Sequence, residues 1–504
     1  CGGTNIVRKF IGYERALTHD EIIQNLIANQ PDLPSMQAMY KWNYETQIPK
    51  LYVYGDISNC STTNPSYVRL KYESPDSSKY GESFDMESSN SPFYLQGTSS
   101  LGYTRKNYRF VLIDSNGKEY FHEMYPGNAL AESTYTCKCD NVDSSMCSNV
   151  CLAKIANDCI YPAGFTPAQK ADPKRRVSIY GHAIELINVV DNEQYSLGAY
   201  MINIDRYATK NLGYDQKEFP NIICYEGEAN SDVGASAFFS YNNPAGSGNQ
   251  FPNEIAYLNE GWRVVYPSIN EDAYDFAPIK RLVNFVDESS EDDFKDSFEQ
   301  YFNKEAILRY YLFVMCFGAI DDLSKNLHFC SYDGQIFYVL PYDLDSCLGG
   351  TNTGYLRVPP SCEVGVLYDT DGTTVLEENH FNSWNSRLWA RVRSTFRVDL
   401  ENMWTTLRSN GTFNINNLLK YFDEITDIIS PKMYNDSQQI KYINDGAVGS
   451  VALHGNRKLQ IRKWLRERMA YLDSKFGYYA DGGVGENYCN FRMNYQGQVS
   501  LDIS

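Results

Sequence analysis

From Ile48 onwards, apolar and polar positions alternate in short runs. "KLYVYG" (50–55), "YVRLKY" (67–72), "FYLQG" (93–97) and "NYRFVLID" (107–114) are separated by Ser, Gly and Pro. Period-two runs between turn residues predict an antiparallel sheet. "AIELINVVDNEQYSLGAYMINID" (183–205) predicts a hairpin turning at "VDNEQ". Between these, "DSSMCSNVCLAKIA" predicts a helix that Asp143 or Ser144 would cap. Beyond Pro252 the period lengthens, and "PIKRLVNFVDE", "SFEQYFN" and "KEAILRYYLFVMCFGAI" predict helices. An irregular Gly/Thr/Pro-rich stretch (348–378) precedes further helices. In the last, Leu459, Trp464, Leu465, Met469 and Leu472 fall near helical spacing before a C-cap at Gly477.

Strands first and helices second predict an α+β fold. The expected arrangement is two-lobed, with a β-rich N-terminal part, a helix-rich C-terminal part and a cleft between them. A tail, "YCNFRMNYQGQVSLDIS", turns strand-like again, so residues 479–504 are expected to begin a further β segment or domain.

One stretch breaks the pattern. "YVLPYDLDSCLGG" (338–350) is an apolar run that ends in Asp343 and Asp345, two positions apart. Upstream, a buried helix is expected to end at Asp321, with Asn326 five residues later and a short hairpin, "LHFCSYDGQIFYVL", leading back to Asp343. The order D-x-x-x-x-N, hairpin, D suits a phosphoryl-transfer site. One Asp orients a hydroxyl while an Asn and a later Asp hold Mg²⁺ through oxygen. An ordinary solvated turn is the plainer alternative. A second candidate is "FYLQGTSSLGYTRKNYRFVLID" (93–114), where backbone amides around Gly97, Ser99 and Ser100 suit phosphates and Lys106 supplies a point charge. Its plainer alternative is a hairpin with a polar tip.

Composition narrows the function classes. The 504 residues are 43% hydrophobic and carry a net charge of -18, which argues for a folded globular chain and against nucleic-acid binding. The longest apolar run (307–320) is too short to span a membrane and contains Arg309. Thirteen cysteines cannot all pair within one chain. Five of them, Cys137, Cys139, Cys147, Cys151 and Cys159, lack the spacing of a convincing zinc site, so buried thiols are the expectation. Six scattered histidines, and no G-x-S-x-G or H-E-x-x-H motif, leave hydrolase and zinc-protease chemistry without support.

In combination these segments resemble the CotH family, atypical protein kinases of the spore-coat type. The family's "RGxSS" and "KKSY" correspond to "QGTSS" (96–100) and "RKNY" (105–108). Its "GxxxGxY" hairpin resembles the chain around Gly198 and Tyr200. Its "DxxxxNxxxY…WDxD" core corresponds to "DDLSKNLHF…YDLD", and its closing helix is matched at Arg462, Trp464, Arg468 and Asp473. The resemblance implies transfer of the ATP γ-phosphoryl group to Ser or Thr of a protein partner, with Mg²⁺, or Mn²⁺ in its place. It implies Asp321 and Asp343 as catalytic residues, Asn326, Asp343 and Asp345 at the metal, and Gly97, Ser99, Ser100 and Lys106 at the nucleotide. Gln96 replaces the family Arg, Tyr342 replaces its Trp, and Asp205 falls one position late. The altered nucleotide-covering half makes a catalytically inactive structural or attachment module the alternative.

Residues 48–478 are therefore expected to form the CotH kinase-like domain. Residues 1–35, with "THDE" as a helix start, resemble the end of a laminin-G-like (concanavalin-type) sandwich, which implies glycan contact. That neighbour also implies an extracellular, cell-surface or virion setting in a larger assembly. Cys1 reads either as a lipidated start or, as expected here, as the edge of a slice of a longer polypeptide.

Overall fold

The computed structural model describes residues 44 and 46–478, except 98, 144, 207, 228–261, 268–276, 324, 369–373, 378–385, 435 and 438–455. It also describes 489–493 and 499–503. The laminin-G-like segment (1–35) lies outside the described residues.

The alternating runs are strands whose ladder closes on itself. They are β1 (Lys50–Tyr54), β2 (Ser66–Glu73), β3 (Phe84–Asp85), β4 (Ser91–Gln96), β5 (Asn107–Val111), β6 (Thr134–Lys138), β7 (Gly181–Val190) and β8 (Glu193–Ile204). β1 pairs with β2 antiparallel and with β7 parallel. The remaining neighbours run β7–β8–β6–β5–β4–β2, so seven strands form a ring and β3 pairs outside β2. Closure removes exposed edges, and alternation fixes which side chains turn inward. Val68, Leu70 and Tyr72 of β2 are buried at every second position. Phe110 stacks on Phe93 with ring centres 6.0 Å apart and lies 6.0 Å from Tyr135. The β7–β8 turn falls at Asp191 and Asn192, both with left-handed backbone (φ 52° and 65°), as a two-residue I′ turn requires.

A second sheet carries the acidic strand end. β9 (Ile223–Gly227), β10 (Trp262–Tyr266), β11 (Leu327–Ser331) and β12 (Phe337–Pro341) run in the order β10–β9–β11–β12. The helices of eight residues or longer are numbered α1 to α7. They are α1 (Ser148–Ile155), α2 (Ala277–Glu288), α3 (Lys304–Phe317), α4 (Arg387–Thr395), α5 (Arg397–Ser409), α6 (Ile415–Thr426) and α7 (Asn456–Phe476). α3 packs against β12, α5 and α7 and is buried nearly all round from Ala306 to Phe317. The chain is therefore α+β, but strands do not simply precede helices, because β11 and β12 follow α3.

α7 holds the helical part together. Arg468, fully buried, donates to the carbonyls of Met315 (2.7 Å), Pro360 (3.0 Å) and Cys362 (2.5 Å). Trp464 donates to Val358 at 2.9 Å. Asp473 receives Arg408 through both oxygens at 2.9 Å, and Trp404 at 2.9 Å. Arg462 lies on the surface, 3.4 Å from Asp423.

Several boundaries differ from expectation. α3 ends at Phe317 rather than Asp321, because Gly318 takes the left-handed C-cap (φ 58°). Helical structure before α3 runs over Glu291–Ser297 and Phe298–Gln300 instead of 297–303. Ser290 caps its start, and Asn303 is already the N-cap of α3. α1 begins at Ser148, where the Asp143 carboxylate accepts from the amides of Cys147 (3.0 Å) and Ser148 (2.8 Å). Within 348–378, Leu367–Tyr368 (β13) pairs with Val375–Glu377 (β14). Gly477 (φ 67°) follows α7 as expected, and in the tail Cys489–Met493 (β15) pairs with Val499–Ile503 (β16). Among the described residues no helix is long and apolar enough to cross a membrane.

Candidate active site

The register of β11 and β12 places the first candidate group. Leu327 faces Pro341, so Asn326 and Tyr342 form the next rung, and the Tyr342 amide donates to the Asn326 carbonyl at 3.0 Å. Asn326 and Asp343 both take left-handed backbone (φ 58° and 56°), a conformation Asn and Asp adopt more readily than other non-glycine residues. Such backbone concentrates at functional sites.

Long-range hydrogen bonds stitch the Asp321 turn to this strand end. Ile320 N donates to Ser346 O (3.1 Å), and Leu348 N to Phe317 O (2.8 Å). Tyr310 donates to the Asp322 carbonyl and Trp389 to the Leu323 carbonyl, both at 2.6 Å. Beyond the strand, the Leu344 amide donates to Asn149 of α1 at 3.1 Å. Ser346 donates to Asp345 at 3.2 Å. Asp321, Asp322, Asn326, Asp343 and Asp345 thus gather at one place.

Two lysines offset this negative charge. Lys325 lies 3.1 Å from Asp321, four positions earlier in the chain. Lys138, the last residue of β6, contacts an oxygen of Asp343; its side chain is 9% exposed and that of Asp343 is 32% exposed. Burial works against the charge on Asp343. The Lys138 ammonium, with Lys325 and Arg206 behind it, nevertheless holds Asp343 below the usual carboxylate range. Asp345 is pushed well above that range by burial and then by Asp343. Asp322 is also pushed well above it, by burial and then by Asp321, Asp343 and Asp345. Burial lowers Lys138 and Lys325, but their carboxylate partners raise both on balance. Like charges disfavour one another at this range, so the surroundings favour the charged form at Asp343 and the protonated form at Asp322 and Asp345.

Tyr342 stands where the resemblance places Trp, and it is an aromatic floor between cations. Arg206 lies 5.3 Å from its ring centre and Lys138 5.8 Å, while His328 stacks at 5.2 Å. Arg206 also pairs with the buried Glu226 at 3.1 Å.

The glycine-containing segment forms the connection between β4 and β5. Gly97 has φ 111°, and a Cβ there would collide with the Ser100 hydroxyl. Ser99–Gly102 is a short 3-10 turn. Lys106 donates to the Leu101 carbonyl of the same connection at 2.6 Å. Among the described residues, no hydrogen bond or ion pair joins Gly97, Ser100 or Lys106 to the acidic group. The link is indirect: Asn107 accepts from the Cys139 amide (2.9 Å) and Asn141 donates to the Arg105 carbonyl (2.7 Å). Cys139 adjoins Lys138, and Asn141 follows it by three positions. Asp205 is buried beside Thr136, 3.3 Å away, on the β6–β8 pair.

Sequence reading passed over Lys138. Its signal was a single cation closing the run "TYTCK", since a lysine among core residues is rarely buried without a partner. Cys137, Cys139, Cys147 and Cys151 are buried cysteines and Cys159 is half-buried. Among the described residues, no group of three or more His, Cys, Asp or Glu is placed to hold a metal. Magnesium asks for less, because it keeps waters and binds through one or two carboxylates plus substrate phosphates. Asn326 and Asp343 provide such an all-oxygen set. Asp322 is fully buried and, among the described residues, neither carboxyl oxygen has a hydrogen-bond partner, so acceptor oxygen in the group is left unused. The residues present therefore fit a hard divalent cation.

Comparison with curated proteins finds no match. The profile described as CotH kinase protein matches residues 95–472, well over half of the chain, and spans both the glycine-containing connection and the acidic strand end. The chain belongs to the CotH kinase protein family.

Proposed function

We propose that the chain transfers the γ-phosphoryl group of ATP to Ser or Thr hydroxyls of a protein partner. Asp321 orients the acceptor hydroxyl. Asn326 and Asp343 hold Mg²⁺ or Mn²⁺ with Asp345 in support, and the bound cation neutralises charge on the phosphates. Gly97, Ser99 and Ser100 offer backbone amides to the nucleotide, and Lys106 adds a point charge. Positioning and charge neutralisation carry such a reaction, because little covalent chemistry falls to the protein. The acceptor enters a cleft between the strand ring and the helical part, where Lys138 of the ring meets Asp343 of the second sheet. The observation that carries this reading is the convergence of Asp321 and Asn326, from the connection before β11, with Asp343, from the segment after β12. The same reading sets the domain in a larger surface or virion-type assembly, on the resemblance of residues 1–35 to a lectin sandwich.

A second reading is a catalytically inactive attachment module. Gln96 in place of the family Arg favours it, as does Lys106, whose ammonium is already bonded to the Leu101 carbonyl. Intact-mass spectrometry after incubation with ATP and Mg²⁺ or Mn²⁺ separates the two. Metal-dependent phosphate addition to the chain or to a Ser-rich protein, abolished by Asp321→Ala and by Asp343→Ala, is the expected result. Absence of addition, together with absence of nucleotide binding by calorimetry, selects the inactive module.

A further inference from the structure

The lysine on Asp343 has a consequence beyond its charge. Lys138 projects from the end of the strand ring, and its ammonium touches Asp343, the residue read above as a metal ligand. An ammonium carries three donors. Asp343 is the only hydrogen-bond partner of the Lys138 ammonium among the described residues. The lysine side chain is buried whereas the carboxylate is about one third exposed, at 9% and 32%. The cation therefore approaches from the protein side, and the carboxylate keeps an open face. Lys325 sits on Asp321 in the same manner at 3.1 Å. The two acids assigned to catalysis thus each carry an internal cation.

We propose that Lys138 is a positioning residue that occupies the place of a divalent cation at Asp343, so that lysine and metal compete for one carboxylate. The inference rests on the metal-binding reading of Asp343. Two cations held within a few ångströms on a single carboxylate repel each other. Metal entry then requires the Lys138 ammonium to withdraw, and a withdrawn ammonium needs another anion. Nucleotide phosphates arriving with the metal have that chemistry. Metal alone binds weakly, and metal with nucleotide binds far better, because the nucleotide receives the lysine that the metal displaces. By reciprocity, the nucleotide tightens metal binding by the same factor as the metal tightens nucleotide binding.

Where the lysine-paired form outnumbers the open form by about tenfold, removing the lysine tightens apparent metal affinity by about that factor. Lys138→Met keeps the length of the side chain without its charge, and Lys138→Arg keeps the charge. Mn²⁺ binding to the full chain, followed at pH 8 by electron paramagnetic resonance without nucleotide, is the test. The expected result is about tenfold tighter binding in Lys138→Met and no tightening in Lys138→Arg. A merely structural lysine would weaken binding when lost, not strengthen it. Equal affinities in wild type and Lys138→Met overturn the inference and leave Asp343 as a metal ligand. Failure of every variant and of wild type to bind Mn²⁺ overturns both. Should Lys138→Met not fold, amine labelling of the wild-type chain read by peptide mass spectrometry decides. Lys138 becomes several-fold more reactive on adding Mg²⁺ while surface lysines do not change, and unchanged labelling overturns the proposal.

Discussion

Asp322→Asn tests the electrostatic reading of the acidic group. Asp322 is fully buried, neither carboxyl oxygen has a hydrogen-bond partner among the described residues, and burial with Asp321, Asp343 and Asp345 holds its carboxyl well above the usual range. In the folded protein it keeps a proton that the unfolded chain releases near the ordinary carboxylate value. Between those two values the folded state binds more protons, so stability falls as pH rises, and the loss is complete once pH passes the folded value. The slope for one such group is about 1.4 kcal/mol per pH unit. Asparagine has the shape of the protonated acid and cannot ionise, so the variant lacks this slope. Urea denaturation with a chelator present, at intervals from about pH 5 to about pH 8, measures the difference. The stability curves should diverge as pH rises, with Asp322→Asn the more stable. Parallel curves would refute the reasoning, because Asp322 would then ionise alike in both states. The same variant should retain phosphoryl transfer, whereas Asp321→Asn should lose about 100-fold or more if Asp321 positions the acceptor proton.

Other parts of the molecule yield further expectations. Burial holds His182, packed against Tyr80 and Tyr125, down at about 3, below its ordinary value of 6.5. The folded state therefore refuses a proton that the unfolded chain accepts. Stability should drop as pH falls from 6.5 towards 3, at a slope of about 1.4 kcal/mol per unit, and chemical denaturation of His182→Gln should show that slope removed. Arg468→Met leaves the carbonyls of Met315, Pro360 and Cys362 without their shared donor. It should cost about 2–4 kcal/mol by denaturant midpoint, partly offset because a guanidinium no longer has to be desolvated. Gly198 has φ 88°, and a Cβ there would come within 2.5 Å of the Ser437 hydroxyl. Gly198→Ala should cost about 1–2 kcal/mol in backbone strain plus the clash, and calorimetry of Gly198→Ala with Ser437→Gly should recover only the clash.

What could be read in the sequence depended on how local its cause was. The β7–β8 hairpin was legible because Asp191 and Asn192 suit a two-residue turn between alternating strands. The convergence of Asn326 and Asp343 was legible for the same reason, since a short hairpin fixes its own register. The end of α3 was misplaced by four residues because apolar Ala319 and Ile320 continue the run beyond Gly318, whose left-handed cap decides the matter. The roles of Trp464, Arg468 and Asp473 entered only through family resemblance, and the structure gives them a physical cause in fastening α7 to α3, α5 and the 358–362 segment.

The sequence by itself determined β1, β2, β4, β5, β7, β8, β11 and β12, the helices α1, α2, α3 and α7, the α+β class and the acids that meet at the end of β12, because those follow from periodicity and short-range turns, whereas β6, β9 and β10 carried no such pattern. Tertiary structure alone decided three things. The ring closes through β1 and β7, more than a hundred positions apart, by a parallel pairing that no local pattern encodes. Lys138 reaches Asp343 across 205 positions, so the charge state of the candidate site belongs to two sheets rather than to one motif. Asp321 and Asp322 are adjacent and chemically identical, yet one carries a lysine partner and the other, among the described residues, has no hydrogen bond to either carboxyl oxygen. Burial and charge neighbours are properties of packing, and only packing separates two like residues into different roles.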